Sequence, residues 1–364
     1  DDLSLVWDVA SWNTIISAYA QHEYAEEAFK CFQQMELEGV SSDSIKFVCS
    51  LRACGHVEAI NKGKQLHCQI TGNELLKSNQ FVGSCLVDMY ARYGLFVEAH
   101  QVFNSLSVQT VVTWTSLITG YANYGQGEEA LKFFEKMQLQ RVTPNAITII
   151  CILKACGSIG ALTKGKQIHK ELVTRGLLKE SIAAGNALVD MYVKCGELAR
   201  AQQVLKELPL RDVVSWSSLI SGFSQHGQWH EALECLDWMQ KEGLFPNAVT
   251  FICILKACGS VNAIYKGKQI HEEIIDRGFL KKNLVLGTAL VDMYTKCGAI
   301  GKAQEIFNKI PIQNVVSWNA LISGYAQRGQ SEEALACFRR MQTKGVFPDP
   351  VTFLSVLVAC VHSS

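Results

Sequence analysis

The phrase SWNTIISAYAQ around Trp12 returns in closely related form at Trp114, Trp216 and Trp318, each time after 102 residues. A fixed period means that equivalent side chains meet equivalent neighbours along the chain, which is the signature of a stacked array rather than of a single closed core. Three related units fill each period. The first has 35 residues and occupies 9–43, 111–145, 213–247 and 315–349. The second has 36 and occupies 44–79, 146–181 and 248–283, with a truncated copy from Pro350. The third has 31 and occupies 80–110, 182–212 and 284–314, and residues 1–8 read as the tail of a preceding unit of this type.

Each unit reads as two helices. In 111–145, Trp114, Leu117, Ile118 and Tyr121 follow the spacing of one helical face. Gly125 and Gly127 interrupt the pattern, Ala130, Leu131, Phe134 and Met137 form the face of a second helix, and Pro144 ends the unit. One such pair cannot bury both faces, whereas stacking in register does. The expected fold is therefore all-α: a right-handed superhelical solenoid of antiparallel helix pairs, similar in kind to tetratricopeptide arrays, with first helices lining a concave face.

Composition agrees with this and narrows the chemistry. Of the 364 residues 48% are apolar, ample for a core, and only 6 are proline. Lys plus Arg and Asp plus Glu balance at 34 each, so any polyanion partner would have to be met by local rather than overall charge. The 14 cysteines resemble a disulfide framework until their spacing is read: Cys54, Cys156, Cys258 and Cys360 recur at 102, as do Cys49, Cys151 and Cys253. They occupy small apolar slots of a repeat, with no C-x-x-C pair for a metal or redox site, and are expected to be buried and reduced. No apolar run has the length of a membrane span. The chain opens Asp1-Asp2-Leu3 without Met or a basic leader, as expected of a fragment from which a targeting peptide is gone.

The phrases VVSWNALISGYAQRGQSEEALACFRRMQTKGVFPD, GKQIH and NALVDMYVKCGE resemble pentatricopeptide repeat proteins of plant organelles, and the 35/36/31 alternation resembles their P-L-S triplet subclass. The resemblance covers the whole chain. It implies single-stranded RNA binding at one base per repeat, read by side chains of each repeat, in a mitochondrion or chloroplast and without a cofactor. It further implies the target-recognition part of a C-to-U editing factor, with multiple organellar RNA editing factor proteins as partners on the 36-residue units. In this family base readout falls on the fifth and last residues of each unit, and the second residue wedges between bases.

Carried onto this sequence, the fifth and last residues of the 35-residue units are Asn13 with Asp43, Thr115 with Asn145, Ser217 with Asn247, and Asn319 with Asp349. In the 31-residue units they are Ser84 with Thr110, Asn186 with Asp212, and Thr288 with Asn314. The 36-residue units end in Asn79, Ser181 and Asn283, but their fifth residues are the apolar Val48, Ile150 and Ile252, so discrimination there should be weak. Helix capping is the commonest use of Asn and Asp at such ends. Capping accounts for the last residue but not for a polar fifth residue beside Trp. Chemically, an Asp carboxylate only accepts and suits the ring N–H of U or G, whereas Asn also donates and suits the ring acceptor of A or C. A short Thr or Ser at the fifth position leaves room for a purine, and a longer Asn reaches a pyrimidine. The implied preference is 5′-U-N-N-A-N-U-A-N-A-U-3′.

The second residues are Phe81, Val112, Ile147, Val214, Val249, Val285 and Val316, with Ile45 and the small Ala10 and Ala183. They are candidates for sandwiching bases, with ordinary packing between units as the alternative. Basic residues recur as Arg52, Lys154 and Lys256, at the ninth position of the 36-residue units, and as Arg92, Lys194 and Lys296, at the thirteenth of the 31-residue units. Both sets are candidate phosphate contacts. For the second set, ion pairing with Asp88, Asp190 and Asp292 is an equal alternative. An enzyme is not expected: His271-Glu272-Glu273 fits the H-x-E of zinc deaminases by letter, but it shares its slot with His67 and His169 and lacks the later P-C-x-x-C. A second reading, a peptide-binding scaffold, has a uniform 34-residue period in tetratricopeptide proteins and does not call for paired polar positions.

Overall fold

A computed structural model describes residues 9–21, 24–38, 44–54, 60–72, 76 and 79–361. The chain divides into two compact units, residues 1–177 and 178–364. In the first, helices pair as Val9–Gln21 with Ala25–Leu37, Ser44–Cys54 with Ile60–Gly72, Gln80–Arg92 with Phe96–Ser105, Val111–Asn123 with Gly127–Leu139, and Ala146–Ile159 with Leu162–Thr174. In the second, Ile182–Lys194 pairs with Leu198–Glu207, Val213–Gln225 with Trp229–Lys241, Ala248–Ser260 with Ile264–Asp276, Leu284–Lys296 with Ile300–Lys309, and Val315–Gln327 with Ser331–Thr343, before a last helix, Pro350–Val361. No strand occurs among the described residues, and no helix there is long and apolar enough to cross a membrane.

Local chemistry sets the helix ends. Gly125 adopts φ +72° and closes the first helix in the left-handed conformation that glycine adopts without strain. Gly127, read from the sequence as part of the break, instead begins the second helix, where an added Cβ would sit 2.6 Å from the Ile159 side chain. A short helix, Phe279–Lys282, follows left-handed Gly278 near the end of a 36-residue unit. The sequence reading did not foresee it, because four residues are too few to show a helical period.

Within each unit of the fold, first helices stack on first helices. The apolar face of Val111–Asn123 buries Trp114, Leu117 and Ile118, with the Trp114 ring edge-on to Phe103 of the preceding pair at 4.7 Å. Trp318 meets Phe307 in the same way at 4.6 Å, so at these two positions the recurring tryptophan repeats one packing contact. Trp12 and Trp216 are buried as well, and the Trp216 indole donates to Glu242 Oε2 at 2.9 Å. Cys49, Cys54, Cys151, Cys156 and Cys258 are buried as expected, but Cys253 is half-buried and Cys360 exposed. Burial pushes the thiols of Cys54 up to about 11 and Cys258 up to about 12, so both stay protonated at neutral pH.

Glycine also decides how closely the first helices approach. A Cβ on Gly120 would lie 2.8 Å from Ala91 Cβ and 3.0 Å from the Ala91 carbonyl oxygen, which is backbone and cannot rotate away. Gly120→Ala is therefore expected to lower stability by about 1–3 kcal/mol through overpacking, against the gain in helix propensity of about 1 kcal/mol that alanine brings at an unobstructed site. Thermal or denaturant unfolding of the two proteins checks this, and an unchanged or raised midpoint contradicts it.

Candidate nucleic-acid interface

Among the described residues, the last residue of a repeat sits immediately before the next first helix, and its side chain is the cap of that helix. Asn145 Oδ1 accepts from the Thr148 backbone N–H at 2.9 Å, and Asn247 Oδ1 from Thr250 at 3.0 Å. Asp349 Oδ1 accepts from the Thr352 amide at 2.9 Å, Asp212 Oδ1 from Ser215 at 2.9 Å, and Asn314 Oδ1 from Ser317 at 3.0 Å. Thr110, Asn79, Ser181 and Asn283 cap their helices too. Capping is thus real at every described position of this kind, and it uses one oxygen of each side chain.

What capping leaves over differs between Asn and Asp. In Asn145 and Asn247 the oxygen is turned to the helix and the amide nitrogen remains a donor with no partner among the described residues. In Asp349 the bonds from the neighbouring side chains fall on Oδ1, so Oδ2 remains as acceptor. The Thr352 amide, followed by the Asn319 and Thr352 side chains, holds the Asp349 carboxyl below its usual range against a smaller opposing effect of burial. For Asp212 burial acts upward, but hydrogen bonds from Ser215 and Asn186 outweigh it and the net shift is again downward. Both are ionised at neutral pH and can only accept.

In four of the described pairs the fifth residue lies against the cap, directly or through one hydroxyl. Asn319 Nδ2 donates to Asp349 Oδ1 at 2.8 Å, and Asn186 Nδ2 to Asp212 Oδ1 at 3.1 Å. Thr115 and Ser217 reach their caps through a hydroxyl that the sequence reading missed. Thr115 Oγ1 is 2.6 Å from Thr148 Oγ1, which donates to Asn145 Oδ1 at 2.9 Å; Ser217 Oγ is 2.6 Å from Thr250 Oγ1, which donates to Asn247 Oδ1 at 3.0 Å. The recurrence of Thr148, Thr250 and Thr352 at 102 residues was the available signal. Their role was hidden because it depends on a contact 33 residues away. Ser84 and Thr288 bond only to the carbonyls of Gln80 and Leu284 in their own helices. The side chain of Asn13, and Asp43 altogether, lie outside the described residues, as do the side chains of Ala10 and Ile45.

The second residues Phe81, Val112, Ile147, Val214, Val249, Val285 and Val316 are between 52% and 68% exposed. Packing between repeats therefore does not account for their apolar character. Arg52, Lys154 and Lys256 are exposed, with no carboxylate at ion-pair distance among the described residues. The other basic set is paired inside its own helices: Arg92 with Asp88 at 2.7 Å, Lys194 with Asp190 at 2.8 Å, and Lys296 with Asp292 at 2.7 Å. His271 of the H-x-E sequence is buried with its Nδ1 3.0 Å from the Tyr294 hydroxyl, and Glu273 is ion-paired with Arg277 at 2.7 Å. His67 makes the same contact with Tyr90 at 2.9 Å. These histidines are packing residues, and burial lowers the pKa of both.

Comparison with known proteins bears on this geometry. Residues 8–56, 109–158, 211–260 and 313–362 match the PPR repeat family, and 84–108 and 186–213 match the PPR repeat. A chloroplastic pentatricopeptide repeat-containing protein of Arabidopsis thaliana is 37% identical over 353 residues, covering 97% of this chain and 57% of the relative. A mitochondrial one from the same organism is 36% identical over 362 residues, covering 98% of this chain and 51% of the relative. The chain thus spans little more than half the length of these relatives. Among solved structures, the fold is similar to that of the pentatricopeptide repeat protein PPR10, solved in complex with an 18-nucleotide psaJ RNA element. The TM-score is 0.72 at 17% identity, covering 97% of this chain and 58% of the other. With helix pairs, periodic tryptophans and family matches over most of its length, the chain belongs to the pentatricopeptide repeat family.

Proposed function

We propose that this chain binds single-stranded RNA and selects bases through the fifth and last residues of its repeats, as the target-recognition part of an organellar C-to-U editing factor of the P-L-S subclass. The observation that carries the reading is the division of labour in the cap: one oxygen holds the helix, and the second atom is a donor in Asn145 and Asn247 and an acceptor in Asp349. A cap needs only an oxygen, so capping by itself has no use for the choice between Asn and Asp. A base edge does.

Thr115 with Asn145, Ser217 with Asn247 and Thr288 with Asn314 would then take A, and Asn186 with Asp212 and Asn319 with Asp349 would take U. Asn13 with Asp43 would take U by sequence alone. With the family's polarity the preference is 5′-U-N-N-A-N-U-A-N-A-U-3′. The exposed Phe81, Val112, Ile147, Val214, Val249, Val285 and Val316 supply apolar surfaces against which bases stack, more weakly than the roughly 1–3 kcal/mol of aromatic stacking where the residue is aliphatic. Arg52, Lys154 and Lys256 are the phosphate contacts, whereas Arg92, Lys194 and Lys296 would have to share their protons with Asp88, Asp190 and Asp292. The chloroplastic and mitochondrial relatives support an organellar location. Catalysis would come from elsewhere, in cis or in trans, and the editing-factor proteins of the organelle are the proposed partners of the 36-residue units.

Two measurements test this. Asn145→Asp replaces the outward donor with an acceptor while keeping the capping oxygen, so the preferred base at the fourth nucleotide should move from A to G. The switch should be worth about 1–3 kcal/mol, the cost of a polar group left unpaired, with little change in melting temperature. Affinities for four RNAs differing only at that base decide it, and a folded variant that still prefers A removes the base-reading role of Asn145. Replacing Arg52, Lys154 and Lys256 together by Ala should weaken binding to all RNAs alike and flatten the salt dependence by up to about 0.7 log units per lost contact. A loss confined to one base would contradict the phosphate assignment.

A further inference from the structure

Thr148, Thr250 and Thr352 are 0% exposed, each the third residue of the helix that its Asn or Asp caps. Each hydroxyl touches both members of a pair. Thr148 bridges Asn145 and Thr115, and Thr250 bridges Asn247 and Ser217. Thr352 Oγ1 lies 2.5 Å from Asn319 Oδ1 and 2.9 Å from Asp349 Oδ1. The corresponding residues after the 31-residue repeats are equally buried but turn away from the fifth residue. Thr113 and Ser317 donate to the carbonyls of Thr110 and Asn314 at 2.8 Å, and Ser215 donates to Asp212 Oδ1 at 2.9 Å. In that last repeat the cost is visible, since Asn186 Oδ1 is buried with no hydrogen-bond partner.

We infer that Thr148, Thr250 and Thr352 are positioning residues for base selection, and that repeats closed by this hydroxyl bridge discriminate more strongly than repeats that lack it. The inference rests on the base-reading role proposed above. A threonine hydroxyl has one proton. When Thr148 gives it to Asn145 Oδ1, both lone pairs of that oxygen are occupied, one by the hydroxyl and one by the Thr148 amide, and the amide nitrogen is held outward. The Thr148 oxygen then accepts from Thr115, whose other inward acceptor is the Val111 carbonyl at 2.7 Å. Either way the Thr115 proton is spent inside, and Thr115 shows only lone pairs outward. The repeat therefore presents one fixed acceptor beside one fixed donor, which matches the amino group and ring nitrogen on the edge of adenine. At Asn319 and Asp349 the same bridge does the reverse: Thr352 fills Asn319 Oδ1, one amide hydrogen goes to Asp349, and what remains is a donor beside an acceptor, matching a carbonyl and ring N–H of uracil. Where the same Thr/Asn pair lacks the bridge, the fifth residue is held only by its own helix, Thr288 by the Leu284 carbonyl at 3.3 Å, and its proton can leave that longer contact and turn outward.

The chain contains its own control, because Thr115 with Asn145 is bridged and Thr288 with Asn314 carries the same pair unbridged. In the unaltered protein, affinities for RNAs varied at the fourth and ninth nucleotides should show a larger preference for A at the fourth. An equal or larger preference at the ninth overturns the inference without any substitution. Thr148→Val keeps the shape and removes the hydroxyl, and should reduce the preference at the fourth nucleotide about tenfold, the worth of one buried hydrogen bond. The preference at the seventh nucleotide and the salt slope should not move. Thr148→Ser restores the hydroxyl and should restore the preference. A folded Thr148→Val protein with undiminished preference for A also overturns the inference. If the unaltered protein shows no preference at either nucleotide, the failure lies in the base-reading proposal itself.

Discussion

The stacking of first helix on first helix is the contact from which the candidate site follows. It brings residues 33 positions apart in the chain within 2.6 Å of each other at Thr115 and Thr148. Glycines line the equivalent first-helix interfaces, with Gly120 against Ala91, Gly222 against Val193 and Gly324 against Thr295, while Trp114 and Trp318 fill the space alongside. A pair of helices alone would leave both of these faces in water. The same stacking that buries the tryptophans therefore also joins the end of one repeat to the fifth residue of its first helix and the third residue of the next.

Because the cap is shared between folding and the proposed recognition, the two can be separated chemically only at one atom. The capping oxygen is required in Asn and Asp alike, and replacing it would disturb the helix start. The second atom of the side chain is spared this duty, as at Asn145, so it can change between donor and acceptor at little cost in stability. Variation at that atom is thus compatible with a constant fold, which is what a modular recognition surface needs.

Charge is arranged with the same economy. The chain is neutral overall, yet Arg52, Lys154 and Lys256 stand exposed without carboxylate partners among the described residues. Arg92, Lys194 and Lys296, the other recurrent basic set, are neutralised within their own helices. Local pairing, not net charge, sorts the two sets.

The repeat period, the helix pairs, the buried tryptophans and the polar fifth and last positions were legible in the sequence, because periodicity and capping chemistry are local and the side-chain types that express them recur every 102 residues. The sequence could not say that Thr148 joins Thr115 to Asn145, nor that the same slot after a 31-residue repeat, at Ser317, turns to its own cap instead. It left open whether Val112 and its counterparts pack or face solvent, and whether Lys194 is free or paired with Asp190. Each of these depends on distances between side chains of different helices or on the rotamer one of them adopts. The Lys194 pair and the Ser317 contact are rotamer choices local to one helix, whereas the Thr148 bridge and the exposure of Val112 are fixed only when neighbouring repeats close on one another, so tertiary packing decided those.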